Sequence, residues 1–268
     1  MEQSLLEHES VVLFCVLSLV GALAAAWEAW APRRAFTAPL RTRWVNNFSV
    51  WILDVLLVRW AVPTMGVAFA LVVADRGWGL FNMVAAPPWI AVATSILALD
   101  LARYGEHWVY HHVPALWRIH RLHHTDTAYD FTLGLRFHPV EGLASAACSL
   151  GVVAVLGAPA LAVLAYQAVS LASSLLSHAN VRMPRGSEAL VRRVLVTPDM
   201  HRIHHSAAEP ETNSNLGNAF PWWDRLFGTY VNAPVGGHER MVIGLERFRE
   251  ARDLWLPWML INPFVRRS

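Results

Sequence analysis

Long runs of apolar residues constrain this chain more than any other feature of its sequence. Residues 11–30 form a run that is long enough to cross a bilayer as one helix, which takes about 20 residues. Residues 140–178 are almost uncharged and are long enough for two helices that turn at Gly157-Ala158-Pro159. Two further runs cover 48–74 and 87–106. The sequence therefore predicts an all-α, integral membrane helical bundle of four to five spans.

Arginine positions predict the orientation of this bundle. The segments 31–43, 103–136 and 182–193 hold four arginines each, whereas the N-terminal tail is acidic. Positively charged loops stay in the cytoplasm, so five crossings with the N-terminus outside satisfy the pattern. The N-terminus lacks the basic segment of a signal peptide, and we expect a retained anchor, in a bacterial inner membrane.

Histidines are unexpectedly frequent for so apolar a chain. There are 13 histidines, although only 16% of the residues are charged, and each buried titratable side chain is costly unless it is paired or coordinated. They concentrate in three segments whose spacing repeats, namely HWVYH (107–111), HRLHH (120–124) and HRIHH (201–205). Spacings of three and four residues place side chains on one face of a helix. We expect all three faces on the cytoplasmic side, forming a histidine-rich metal-binding cap.

The side-chain type restricts the metal. Imidazole suits zinc, copper, iron and nickel, and no thiolate lies nearby. Eight to ten histidines are too many for one ion, so two ions are predicted. The chain lacks the HExxH pattern of zinc proteases. Two irons with open positions would activate O₂, which is chemistry that side chains do not perform alone.

These motifs resemble the fatty acid hydroxylase/sterol desaturase superfamily of integral membrane di-iron oxygenases. Pro114-x-Leu116-Trp117, His138-Pro139-x-Glu141, NSNLG (213–217) and WWDRLFGTY (222–230) fit as well. The resemblance implies two iron ions, with zinc as a possible substitute in purified protein. It also implies O₂-dependent hydroxylation or desaturation of a lipid, with electrons from a separate ferredoxin, cytochrome b5 or reductase.

The resemblance also implies a set of metal ligands. They are His107, His111, His120, His123, His124, His201, His204 and His205, with His138 and His178 as additional family histidines. Candidate groups that orient the ligand imidazoles are Asp100, Glu141, Asp199, Asn215 and Asp224. The remaining histidines, His8, His112 and His238, are expected to be ordinary.

The predicted domain layout has three parts. Residues 1–94 form the membrane anchor, 95–230 the hydroxylase-type domain with the three histidine segments, and 231–268 a cytosolic or interfacial tail. Within the second predicted span, Asp54 and Arg59 are expected to pair with each other or with lipid headgroups. No basic stripe suggests a nucleic-acid partner.

Several alternatives remain open at this point. A membrane metal-binding or metal-transport protein would also carry many histidines, although transporters place ligands near the bilayer midplane. The lipid could be a fatty acyl chain, a sterol or hopanoid, a carotenoid or an ether lipid. Hydroxylation and desaturation both begin with removal of a hydrogen from carbon, and spacing does not distinguish them.

Overall fold

The computed structural model of the protein describes residues 2–36 and 39–265, and within that range it consists of helices joined by turns and loops, with no strands. Residues 1, 37, 38 and 266–268 of the predicted anchor and tail lie outside the described residues. The β-type pairing in the described part consists of two isolated bridges, Pro32 with Val181 and Ser206 with Ile243. The α-helices are α1 (Glu2–Trp30), α2 (Leu40–Ala61), α3 (Val67–Asp75), α4 (Leu80–Met83), α5 (Pro88–His112), α6 (Pro114–His124), α7 (Pro139–Leu156), α8 (Ala160–Ser177), α9 (Arg185–Val191), α10 (Pro198–His204), α11 (Glu209–Thr212), α12 (Trp222–Phe227) and α13 (Leu256–Ile261).

Three helices are long and apolar enough to cross a membrane: residues Glu7–Trp30 of α1, then α7 and α8. The segment Val67–Met83 and helix α5 together form a fourth candidate that bends by 98°. The described residues thus contain three candidate spans, or four if the bent pair is one span, whereas the sequence predicts four to five. Helix α2 is not among the candidates, because it carries Arg41, Arg43, Asp54 and Arg59.

The predicted hairpin is present, and the 48–74 run is broken at Pro63. Helix α7 ends at Gly157, whose φ of 64° is in the left-handed region. A Cβ at this position would lie 2.8 Å from the carbonyl oxygen of Trp78, so only glycine fits the turn into α8. The 48–74 run divides into α2 and α3 around Pro63, because proline cannot continue a helix.

The long helices form one bundle in which α1 packs along α8, α2 along α7, and α5 against both α7 and α8. Val67, Leu99, Val153 and Val163 meet in the core between α3, α5, α7 and α8. A second core joins α1 and α8 to the 3₁₀ turn Phe131–Leu135. The bundle therefore presents the ends of α5 and α8 to the histidine-bearing segments.

Two buried polar contacts attach the cap to the bundle. Arg43 of α2 is fully buried and donates from Nε to Asp126 at 3.0 Å, and it also pairs with Asp130.

The expected pair of Asp54 with Arg59 is not formed. Arg59 donates to Ser10 at 3.2 Å, and the Asp54 carboxylate packs against Gly142.

Candidate metal centre

Four helices bring the histidine segments together. His107 and His111 occupy the last two turns of α5, which ends at His112 because Val113 precedes Pro114. Helix α6 then starts in a new direction and carries HRLHH, so its histidine face turns back towards α5. Helix α10 carries the third segment, with Thr197 as its N-cap and Pro198 at its first position, residue types that favour the start of a helix.

Nine histidines form two groups, and in each group the candidate ligand atoms all lie within 4.8 Å of one another. The five-histidine group consists of His107, His111, His120, His124 and His204. The four-histidine group consists of His123, His178, His201 and His205. His178 enters from the C-terminal end of α8.

Each HxxHH segment contributes to both groups. In α6 the pair His120 and His124 enters the five-histidine group, and His123 enters the other. In α10 the pair His201 and His205 enters the four-histidine group, and His204 crosses to the first. Residues four apart are separated by about 40° around a helix, whereas adjacent residues are separated by about 100°. The adjacent histidines therefore face different groups.

Hydrogen bonds determine which ring nitrogen of several histidines carries the proton. Nδ1 of His107 donates to the carbonyl oxygen of Leu216 at 2.7 Å, and Nδ1 of His204 donates to that of Ser214 at 3.0 Å. Nδ1 of His178 donates to Ser174 in the same way. Since these oxygens only accept, Nδ1 holds the proton and Nε2 of the neutral ring presents a lone pair.

Two side chains complete this pattern. Nδ1 of His120 donates to Oε1 of Glu141 at 2.9 Å, and Nδ1 of His111 donates to Oδ1 of Asn213 at 3.1 Å. The expectation that Glu141 orients a ligand imidazole thus agrees with the geometry. The carbonyl groups of Ser174, Ser214 and Leu216 could not be predicted as acceptors from the sequence, because a backbone acceptor carries no side-chain signal. Asn213 was not predicted either, because its partner His111 lies 102 residues away in the chain.

Burial keeps the surrounding imidazoles neutral. Loss of solvation, followed by repulsion from neighbouring imidazoles, holds the pKa well below its usual range in five of them. These are His123, His124, His201, His204 and His205. Burial also lowers the pKa of His178 to about 4. These six imidazoles are therefore neutral nitrogen donors at neutral pH.

The donor array fits metal cations. Nε2 of His107 lies 3.1 Å from Nε2 of His120, and both rings already donate from Nδ1. Two lone pairs so placed repel each other, and a cation between them removes the repulsion. Nε2 of His111 and Nε2 of His204 are buried without a hydrogen-bond partner in the part of the chain that the structure describes. Such orphaned groups are rare without a ligand.

Histidines of both groups line a cavity of about 30 Å³, with room for about two water molecules. His107 and His120 of the five-histidine group line it, together with His123, His178 and His201 of the four-histidine group. Its remaining wall is mostly polar and includes Arg103, Tyr110, Glu141, Ser174 and Asn218. A small reactant would contact both groups there.

The other predicted orienting residues act on the backbone rather than on imidazoles. Asp224 is buried and accepts from the N–H groups of Leu216 at 2.7 Å and Gly217 at 2.9 Å. The carbonyl oxygen of Leu216 in turn accepts from Nδ1 of His107. Asp224 therefore supports the orientation of His107 indirectly, through the backbone of Leu216. Asn215 donates to the carbonyl oxygen of Met200 at 3.1 Å and ties the same segment to α10.

Asp100 and Asp199 lie apart from the imidazoles of both groups. The buried carboxylate of Asp100 contacts the 219–223 segment instead. It accepts from Nε1 of Trp223 at 2.9 Å and from the N–H of Ala219 at 3.2 Å. Asp199 pairs with Arg202 and with Arg33. Asp100 and His107 are seven residues, or about two turns, apart on α5, and this separation explains why no contact forms.

The structure does not bring His138 to either group. Its Nδ1 accepts from the N–H of Val140 at 3.2 Å, and its Nε2 donates to the carbonyl oxygen of Leu260 at 3.1 Å. His138 thus caps the start of α7 and joins it to α13. His8, His112 and His238 lie outside both groups as well.

Comparisons with known proteins find a family and relatives that are named as hydroxylases. A family model described as fatty acid hydroxylase matches residues 92–229. The ornithine lipid hydroxylase OlsE of Rhizobium tropici is 35% identical over 149 residues, which cover 54% of this chain and 44% of that protein. The fatty acid hydroxylase vlmA of Lecanicillium sp is 28% identical over 207 residues, which cover 66% and 54%. No solved structure matches the chain significantly.

A third relative comes from animals. The alkylglycerol monooxygenase of Homo sapiens is 27% identical over 174 residues, which cover 63% of this chain and 36% of that protein. The chain thus spans between 36% and 54% of the length of these three relatives. The shared region contains all three histidine segments, since the family match runs from residue 92 to residue 229.

Proposed function

Because this chain belongs to the fatty acid hydroxylase family, we propose that it is an integral membrane di-iron enzyme that hydroxylates a lipid. The reaction places one oxygen atom of O₂ in a C–H bond, and the other leaves as water with two electrons and two protons. The relatives are named as hydroxylases and monooxygenases, which favours hydroxylation over desaturation.

The observation that carries this proposal is the pair of histidine groups facing one small cavity. The five-histidine group would hold one iron and the four-histidine group the other. When bound, two irons supply the two-electron reduction of O₂ that side chains alone do not supply. Zinc would fit the same nitrogen donors in a purified protein.

The chain itself positions and shields the reactants. Glu141 and the carbonyl groups of the 213–216 segment hold the imidazoles in fixed orientations. Phe137 stacks on His123 with ring centroids 4.5 Å apart, and Tyr110 stacks on His120 at 5.5 Å. These rings wall off the cavity and limit its access to water, which protects a reactive oxygen species from side reactions.

The membrane arrangement follows the charge pattern. We propose that residues 1–94 anchor the protein, that 95–230 carry the catalytic domain, and that 231–268 lie on the cytosolic side or at the interface. The metal centre then faces the cytoplasm of a bacterial inner membrane. It would receive electrons there from a separate ferredoxin, cytochrome b5 or reductase.

Metal transport is the competing function. Transporters hold ions near the bilayer midplane within broken spans, whereas these histidines lie at the ends of α5 and α8 and on the short helices α6 and α10. The relatives are not named as transporters. Metal flux into proteoliposomes without any oxygen consumption would favour transport instead.

Comparative lipid mass spectrometry tests the proposed function. Cells with the wild-type chain, with a His204→Ala variant, and without the chain are compared. We expect one lipid class to gain the mass of one oxygen in wild-type cells alone, which also identifies the lipid as acyl, sterol or hopanoid, carotenoid or ether lipid. A loss of two hydrogens would indicate desaturation. An unchanged lipid profile, or full activity with His204→Ala, would overturn the proposal.

A further inference from the structure

Helix α12 buries a charged side chain and exposes apolar ones, which is the reverse of what is expected for a helix that faces water. Its buried residue is the carboxylate Asp224, which holds the 216–217 backbone. Its outer side carries Leu226 and Phe227, which are 68% and 56% exposed. A helix on a water-facing surface turns its apolar residues inward, so the reversed order indicates an apolar medium outside.

The apolar surface extends beyond α12. Nε1 of Trp222 donates to the carbonyl oxygen of Arg193 at 2.8 Å, which brings α12 against the chain that follows α9. We define the α9–α12 patch as the exposed side chains of Leu190, Val194, Leu195, Trp222, Leu226 and Phe227. A continuous patch of this kind marks an interaction surface rather than scattered exposed residues.

Two contacts with the spanning helices place the patch at the edge of the bilayer. Phe227 stacks on Tyr104 of α5, with ring centroids 5.4 Å apart. At the other side, the N–H of Arg182 donates to the carbonyl oxygen of Ala31 at 3.0 Å, directly after α1 ends. The chain from 182 to 227 thus runs between two helices at the level where they leave the membrane.

The charges around the patch are positive. Arg185, Arg193 and Arg225 are exposed, and Arg225 donates to the neutral carbonyl oxygens of Arg192 and Arg193. Glu188, the acidic residue of α9, is already paired with Arg192 at 2.7 Å. Apolar side chains rimmed by arginine suit the headgroup layer of a membrane that contains anionic lipids.

We propose that the α9–α12 patch lies in the membrane interface, with its apolar side chains among the acyl chains and its arginines on the phosphates of anionic lipids. The cap is then held to the bilayer by its own surface as well as by the spans. This inference goes beyond the proposed function and does not depend on it, since it concerns neither metal nor catalysis.

Depth measurement in a bilayer tests the inference on the full chain. Cys15 and Cys148 are replaced by alanine, and a nitroxide label is attached through Leu226→Cys or, as a matched control, through Val235→Cys, a site that is 99% exposed. Each protein is placed in nanodiscs of equal parts phosphatidylcholine and phosphatidylglycerol. Collision rates of the label with O₂ and with a water-soluble nickel complex are then compared.

The label at position 226 should collide more with O₂, which concentrates in lipid, and the label at 235 more with the nickel complex. Equal behaviour of the two labels would overturn the proposal. A label at 226 that is sheltered from both reagents and broadened by a second label would show that another copy of the chain covers the patch, which also overturns it.

A second measurement tests the arginines. Native mass spectrometry counts the phosphatidylglycerol molecules that stay bound to the wild type, to Arg193→Gln, and to Arg240→Gln as a control at an exposed arginine outside the patch. Retention should fall about fivefold with Arg193→Gln, from the attraction of one arginine to an anionic surface, and should not change with Arg240→Gln. Equal retention by both variants would show that anionic lipid is not bound there.

Discussion

Nδ1 of His120 donates to Oε1 of Glu141 across 2.9 Å, and both side chains are 2% exposed. The carboxylate belongs to α7 and the imidazole to α6, so one contact orients a candidate ligand and joins two helices. In the proposed metal centre, the orientation of one candidate ligand would therefore depend on a carboxylate from a neighbouring helix.

Removal of that carboxylate should weaken metal binding in the five-histidine group. We expect Glu141→Ala to lower its iron affinity about 10- to 100-fold, because His120 loses the acceptor that fixes its orientation. Glu141→Gln keeps an acceptor oxygen and should lose less. Metal content after dialysis against graded chelator concentrations measures both, and an alanine variant that holds iron as tightly as the wild type would contradict the assignment.

Single histidine replacements should separate the two groups. His204→Ala and His123→Ala each remove a ligand from a different group, so each should lose one of two irons preferentially. His138→Ala should retain both irons, because both of its ring nitrogens are used in hydrogen bonds to the backbone. Metal analysis by mass spectrometry checks this, and a His138→Ala protein that loses one whole iron would return that residue to the ligand set.

Asp224 should matter for stability as well as for the site. Asp224→Ala leaves the N–H groups of Leu216 and Gly217 buried without an acceptor. We expect a loss of about 3 kcal/mol in the free energy of unfolding, together with weaker iron binding through His107. Asp224→Asn keeps one acceptor and should be milder. Thermal unfolding in detergent measures the difference, and equal stability of the alanine variant would refute this role.

The metal-free protein should lose stability on acidification. Burial lowers the pKa of His178 to about 4, whereas the same group titrates near 6.5 when unfolded. The unfolded chain therefore binds more protons between these values, and the stability that is present above pH 6.5 is lost as the pH falls towards 4.

Unfolding of the metal-free protein between pH 7.5 and pH 5 measures this dependence. Each buried histidine adds a slope of at most about 1.4 kcal/mol per pH unit. His178→Gln should give a shallower slope than the wild type, whereas His112→Gln at an exposed position should not change it. A slope that is flat in all three proteins would contradict neutral, buried imidazoles.

Much of this structure could be predicted from local patterns in the sequence. The helical spacing of HRLHH and HRIHH and the turn at Gly157 depend on neighbours within a few residues, and each appears where it was expected. The number of spans was harder to predict. Helix α2 is long and apolar on average, but Arg43 is buried against Asp126 and Asp130, and a partner more than 80 residues away leaves no local signal.

Spacing alone determined that the histidines lie on helical faces and are suited to metal, since a helix repeats about every 3.6 residues whatever surrounds it. Only the tertiary structure decided which histidine joins which group. His123 and His124 are neighbours in sequence, yet they point about 100° apart and meet partners from different helices. That division depends on how α5, α6, α8 and α10 pack together, as does the exclusion of His138, whose ring is drawn to the carbonyl oxygen of Leu260.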